Sequence, residues 1–248
     1  MKTTQLFFLF LMLLLSASLQ GQIVQGVITY EMRMDMHRNL PADRPELRTM
    51  IPQHRTENFE LFFTPTESFY KIKEDPNQVA AGGGGGPVRV MMRMPRSETY
   101  TDRLTNERLV FLDFMGRNLL IVDTIAVQPW RIGNEQMEIA GYMCMMAWQT
   151  DTVTNQEITV WFAPGLPPFL GPDRFSTLPG TVLAVDINNG ERVWVARKIE
   201  TREIRSGELR KPTRGDRLTR AEFNKLVEEQ MQRMNPGGGG AAAIMRFF

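Results

Sequence analysis

Residues 160–182 read VWFAPGLPPFLGPDRFSTLPGTV, an apolar run broken by Pro164, Pro167, Pro168, Pro172 and Pro179 and by Gly165, Gly171 and Gly180. Proline fixes φ and removes a backbone donor, while glycine opens φ values closed to other residues. Spaced this densely, the two dictate one particular path for an apolar segment and exclude a floppy loop. The run follows a strand-like pattern ending at Trp161 and Phe162. A fold that accepts this chain must hold a rigid, irregular, apolar segment against a strand.

The rest of the chain is patterned for strands. From 28 to 37 the residues alternate strictly, with Tyr30, Met32, Met34 and Met36 on one side and Thr29, Glu31, Arg33, Asp35 and His37 on the other. Period two marks a half-buried strand. Shorter strands are expected at 57–63, 67–73, 88–94, 98–103, 107–114 and 117–125, and a second group at 137–150, 156–163, 181–187 and 191–204. Asn188-Asn189-Gly190 is a tight-hairpin turn between the last two, because both residue types tolerate positive φ. Many strands with short links and no helices between them imply antiparallel pairing. The expected fold is mainly β: a large, strongly curved antiparallel sheet or partly closed barrel over residues 23–204, closed or nearly closed to protect its edges. Residues 205–236 are expected as a polar linker and one amphipathic C-terminal helix. Thr219 and Glu222 form a capping box there, and Phe223, Leu226 and Val227 supply a narrow apolar stripe. Residues 237–248 read as a flexible Gly/Ala tail.

Residues 1–22 carry Lys2, an apolar run at 6–15, then small and polar residues. That is the layout of a secretory signal peptide, and a ten-residue apolar core is too short for a membrane span of ~20 residues. Export is therefore expected, to the periplasm, the outer membrane or the medium, with cleavage near 18–22 and no transmembrane anchor left. Removing Lys2 turns 29 basic against 28 acidic residues into 28 against 28. A neutral chain lacks the sustained basic face of a nucleic-acid binder. One cysteine, Cys144, allows no internal disulfide, so packing must hold the fold.

Several residues around the Pro/Gly run resemble the motif of the GLPGLI family, secreted Bacteroidetes proteins whose members carry no assigned reaction. The resemblance rests on Trp161 and Phe162, Pro164, Pro167, Gly171 and Pro172, Phe175, and the Leu178-Pro179-Gly180 core. Upstream, Gly141, Tyr142, Cys144 and Ala147 match that family's Gly-Tyr-x-Cys-x-x-Ala strand. Two positions depart: the naming hexapeptide is reduced to residues 177–182, and Met146 stands where lysine is expected. The resemblance implies an exported cell-envelope protein, a non-catalytic binding or scaffold module whose partner is a lipid, a peptide or an envelope protein, without a cofactor.

The residues themselves offer little reactive chemistry. Methionine is the outlier, 17 in the chain and 15 once Met1 and Met12 are removed. Met32, Met34 and Met36 would align on one strand face, about 7 Å apart, a soft patch suited to Cu(I). The alternative is that they fill the core, where methionine is adaptable. Cys144 is either a nucleophile or a buried small hydrophobe. No Ser-centred glycine elbow, HExxH or CxxC occurs, and the only histidines are His37 and His54. Asp113 and Asp123 form a conceivable acid–base pair, though solvated strand ends explain them better. The glycine runs at 82–86 and 237–240 lack the lysine, hydroxyl and helix of a phosphate loop. Trp130, Tyr142, Trp148, Trp161 and Trp194 either line a ligand cavity or fill the core.

Overall fold

The computed structural model describes residues 24–40, 45–74, 96–152 and 154–234. The leader expected at 1–22, the strand expected at 88–94, both glycine runs and the tail expected at 237–248 lie outside the described residues. Among the described residues there are twelve strands: β1 (Gly26–Asp35), β2 (His54–Phe63), β3 (Glu67–Ile72), β4 (Ser97–Asp102), β5 (Glu107–Phe114) and β6 (Arg117–Thr124). The second half supplies β7 (Arg131–Ile139), β8 (Tyr142–Asp151), β9 (Gln156–Ala163), β10 (Thr181–Ile187), β11 (Arg192–Thr201) and β12 (Asp216–Thr219). A helix, α1 (Arg220–Met234), follows directly.

All twelve strands share one sheet, ordered β12-β6-β5-β4-β3-β2-β1-β11-β10-β9-β8-β7. The first strand is thus the centre, flanked by two meanders. Curvature follows from chain length. Ten steps separate β6 from β7 in that order, which in a flat sheet of ~4.8 Å steps would be about 48 Å. The link between them is residues 125–130, and that much chain reaches only about 25 Å. The sheet must therefore bend until its two halves face each other, and β7 does approach β11. It stays open, with β12 and β7 as edges.

Two features differ from the sequence reading. The stretch expected as one strand at 137–150 is a hairpin, because Ala140 (φ 52°) and Gly141 (φ 82°) turn the chain in two residues. An alanine in the left-handed region hides that turn. The polar interval after β11 is a strap, residues 202–215, that crosses the outer face and ends in β12. There β12 pairs in parallel with β6, while the other strand pairs among the described residues are antiparallel.

The two faces have different cores. On the outer face, Ile204 and Leu209 of the strap cover Val27, Phe62, Phe69, Tyr100, Leu109, Phe111 and Leu120. The strap is pinned by charge: Arg202 and Glu208 form two 2.7 Å bonds, and Arg214 lies 4.4 Å over the Phe111 ring. On the inner face, α1 seats Phe223 and Val227 against Val110, Leu112, Phe114, Leu119 and Ile121. Its capping box forms as expected, Glu222 N–H donating to Thr219 Oγ1 (3.2 Å) and Thr219 N–H to Glu222 Oε2 (2.7 Å). The larger inner core joins β1–β3 to β8–β11. Long side chains meet across its concavity, Trp194 Nε1 donating to Tyr70 Oη at 3.1 Å. Among the described residues no helix is long and apolar enough to cross a membrane.

Candidate functional site

The Pro/Gly segment, residues 164–180, lies in the concave core. Leu166, Leu170, Phe175 and Leu178 are buried there with Tyr30, Met32, Phe162 and Trp194. Its backbone is tied to the sheet: Val182 N–H donates to Leu170 O (2.8 Å), Phe169 N–H to Leu178 O (3.1 Å), and Tyr30 Oη to Val182 O (2.7 Å). Thr181 Oγ1 donates to Pro167 O (2.6 Å). Gly171 and Gly180 are required by proximity. A Cβ on Gly171 would lie 2.9 Å from Val182 Cβ and overlap Phe175 O; one on Gly180 would lie 2.7 Å from Ala163 C and overlap its oxygen. Pro172 is buried and its carbonyl accepts from Phe175 N–H (3.1 Å), whereas Pro164 and Pro179 are exposed.

The other residues singled out in the sequence converge on the same core. Gly141 makes the β7–β8 turn, Tyr142 and Trp161 pack against the core rim, and Cys144 is fully enclosed. Burial pushes the Cys144 thiol up to about 11, so it is a neutral small hydrophobe at ordinary pH. Met32 and Met34 are buried core side chains, while Met36 begins the 3-10 turn after β1 and is half-buried. Of the aromatics, Trp194 is buried, Trp130 donates to Thr177 Oγ1 (3.1 Å), and Trp148 is on the surface. Asp113 and Asp123 do not meet. Asp113 stands opposite Asn118 at one end of the β5–β6 pair and Asp123 opposite Arg108 near the other. His37 Nε2 sits 2.7 Å from Ile51 O, and His54 opens β2.

What the sequence reading missed is a polar seam where the tip of the segment meets the inner face. Its centre is Asp173, held at φ 50°, and Arg174. Arg108 of β5 reaches Asp173 at 3.4 Å, and Arg174 reaches Asp151 of β8 at 3.7 Å. Arg220, the first residue of α1, pairs with Asp123 at 3.0 Å. Arg192 of β11 lies 5.5 Å over Trp194, Arg174 lies 5.3 Å over Phe175, and those two rings are 6.0 Å apart. Burial pushes the Arg108 and Arg192 guanidiniums down, Arg192 to about 10, against the pull of Asp173. A signal for the seam existed. Arg108, Gln156 and Arg192 occupy core-facing positions at the starts of strands, in register with Val110, Ile158 and Trp194. Polar residues in an apolar register are the informative exceptions.

No family model and no curated protein matches the chain. Among solved structures it is similar to PNGF-II in two space groups: P21, with TM-score 0.57 and 15% identity over 83% of this chain and 34% of that one, and C2, with 0.56 and 15% over 83% and 33%. The chain therefore spans about one third of PNGF-II, and identity this low establishes a shared fold alone.

Proposed function

We propose that the chain is an exported cell-envelope module of the GLPGLI type that acts by binding a lipid, peptide or envelope protein and carries out no reaction of its own. The observation that carries this reading is the state of the motif. Gly171 and Gly180 both stand where the backbone leaves no room for a Cβ. The segment they shape is thereby a fixed wall of the concavity, with one polar seam at its tip. A fixed wall beside a half-buried charged seam suits recognition, since little ordering entropy is lost when a partner docks. The similarity to a third of PNGF-II supports a module reading, because this fold there makes up part of a longer chain. The leader-like residues 1–22 support export.

Two measurements test the proposal. The intact mass of protein recovered from the envelope of its own cells should lack the first 18 to 22 residues. Native mass spectrometry of the same sample should find retained lipid or peptide. Full-length protein confined to the cytosol would sink export. An empty mass spectrum from envelope-purified protein, repeated after mild crosslinking, would sink binding.

A further inference from the structure

The geometry points to an oxyanion site at the seam: Arg108, Arg174, Arg192 and Arg220, with Gln156, receive a carboxylate, sulfate or phosphate group of the ligand. This rests on the binding-module reading above and gives the ligand a chemistry.

The first observation is a surplus of donors. Arg108 Nε and Gln156 Nε2 are buried without a hydrogen-bond partner among the described residues. A buried donor left unpaired costs about 1–3 kcal/mol, so two in one region call for an acceptor. Both lie beside the tip of the Pro/Gly segment. Arg108 is the residue that meets Asp173, and Gln156 stands opposite Asp151, the carboxylate that meets Arg174.

The second observation is the looseness of the existing pairs. Charge-assisted N–H···O bonds close to about 2.7–2.9 Å when nothing competes. On the strap, Arg202 and Glu208 reach 2.7 Å twice. At the seam the Arg108–Asp173 and Arg174–Asp151 separations are 3.4 Å and 3.7 Å, and only Arg220–Asp123 closes to 3.0 Å. Asp173 is shared electrostatically between Arg108 and Arg192, so one carboxylate serves two cations. A second, ligand-borne anion completes that arrangement.

The third observation is preorganisation. The Phe175–Trp194 pair carries a guanidinium on each ring. Stacking fixes the plane of the Arg174 guanidinium beside Phe175, so its fork is already oriented toward an oxyanion at the seam. A row of hydroxyls, buried Ser68 and Thr101, runs across β3 and β4 to Arg108 in register, adding neutral donors beside it.

The test uses the signal-free chain and side-chain Nε–Hε resonances of arginine. Sodium sulfate, phosphate and acetate are each titrated at ionic strength held constant with sodium chloride. The Arg108 resonance should move saturably with at least one of the three, while the Arg202 resonance stays still. Arg108→Lys, which keeps the charge but loses the Nε donor, should weaken binding at least tenfold. If that variant does not fold, Gln156→Leu supplies the second arm and should weaken binding at least threefold with thermal stability unchanged or raised. No saturable shift with any oxyanion, an equal shift in chloride alone, or unchanged affinity in the folded variant would overturn the site. The module reading fails separately. Envelope-purified Arg108→Lys protein that still retains the natural ligand removes the oxyanion site and leaves binding intact.

Discussion

Replacing Gly180 with alanine puts the rigid-wall argument at risk with a single methyl group. The added Cβ would stand 2.7 Å from Ala163 C and 3.0 Å from Phe162 Cδ2, where carbon atoms prefer about 3.5–4.0 Å. Neither neighbour can yield cheaply. Ala163 is the last residue of β9, paired with Thr181, and its carbonyl accepts from Leu166 N–H at 3.2 Å. Phe162 is fully enclosed in the core. Overpacking of this kind costs about 1–3 kcal/mol, and loosening one backbone bond adds about 1 kcal/mol. A total near ~3 kcal/mol corresponds to a melting-point drop of roughly 6–12 °C for a domain of this size. Gly165→Ala is the internal control, since a Cβ there meets nothing within 4 Å. It should leave stability unchanged or raise it by up to ~1 kcal/mol through the unfolded chain. Calorimetry and urea titration of both variants, with m-values compared, decide the matter. Equal melting points for the two variants would refute the claim that the segment's path is fixed by close backbone approach.

Phe223→Ala removes a buried ring set 5.8 Å from Phe114 in a T-shaped pair; a loss of about 3–4 kcal/mol is expected, read as earlier urea unfolding and hydrogen exchange of α1. Glu208 is held down to about 2 by the hydrogen bonds from Arg202. Its stabilisation is therefore complete above the ordinary carboxylate range and drains away as pH falls from about 4.5 toward 2. Glu208→Gln should flatten the acid limb of the stability curve by about 1 kcal/mol and change nothing at neutral pH beyond that offset. Native Cys144 should resist a thiol reagent at pH 8 and react only after unfolding, because burial keeps the thiol protonated. Leucine at Met32, Met34 and Met36 together should leave anaerobic Cu(I) titrations unchanged, since Met32 and Met34 are enclosed by core side chains; a lost stoichiometric site would revive the soft-metal reading.

Where the sequence was legible, one periodicity dominated. The strand at 107–114 was readable to the residue because apolar side chains crowd both of its faces and Asn106 and Met115 break it at each end. Alternation alone puts Tyr30, Met32, Met34 and Met36 on one side; the first three are buried, and Met36 leaves the strand for a 3-10 turn and is half-buried. Strand β7 was illegible for the converse reason. It is an edge strand exposed along nearly its whole length, so neither face imposes a pattern on residues 131–138. The strap is hard to read because, apart from Ile204 and Leu209, its contacts are made by side chains that read as solvent-facing. Arg210 and Arg214 reach toward the buried Glu98 carboxylate at 3.7 Å and 3.9 Å, and Lys211 lies 5.8 Å over the Tyr100 ring. Long basic side chains cover apolar surface with their stems while keeping the charge near a partner, a role that a polarity scale cannot register.

The seam follows from the same geometry that bends the sheet. Along β5, β9 and β11 the core-facing register runs inward from Arg108, Gln156 and Arg192 to Val110, Ile158 and Trp194. Closing the two halves of the sheet brings β5 and β11 toward one another across the concavity, so their rim positions gather with them. The Pro/Gly segment then fills the apolar depth with Leu166, Leu170, Phe175 and Leu178 and turns back at Asp173. Its reversal is polar because it stands opposite those rim positions, where the Arg108 charge would otherwise face a partly dry environment without Asp173. Asp173 holds the tip against Arg108, while Arg174 turns to Asp151 and Arg220 to Asp123. Arg108 Nε and Gln156 Nε2 are thereby left on the inner rim as hydrogen-bond donors without an acceptor among the described residues.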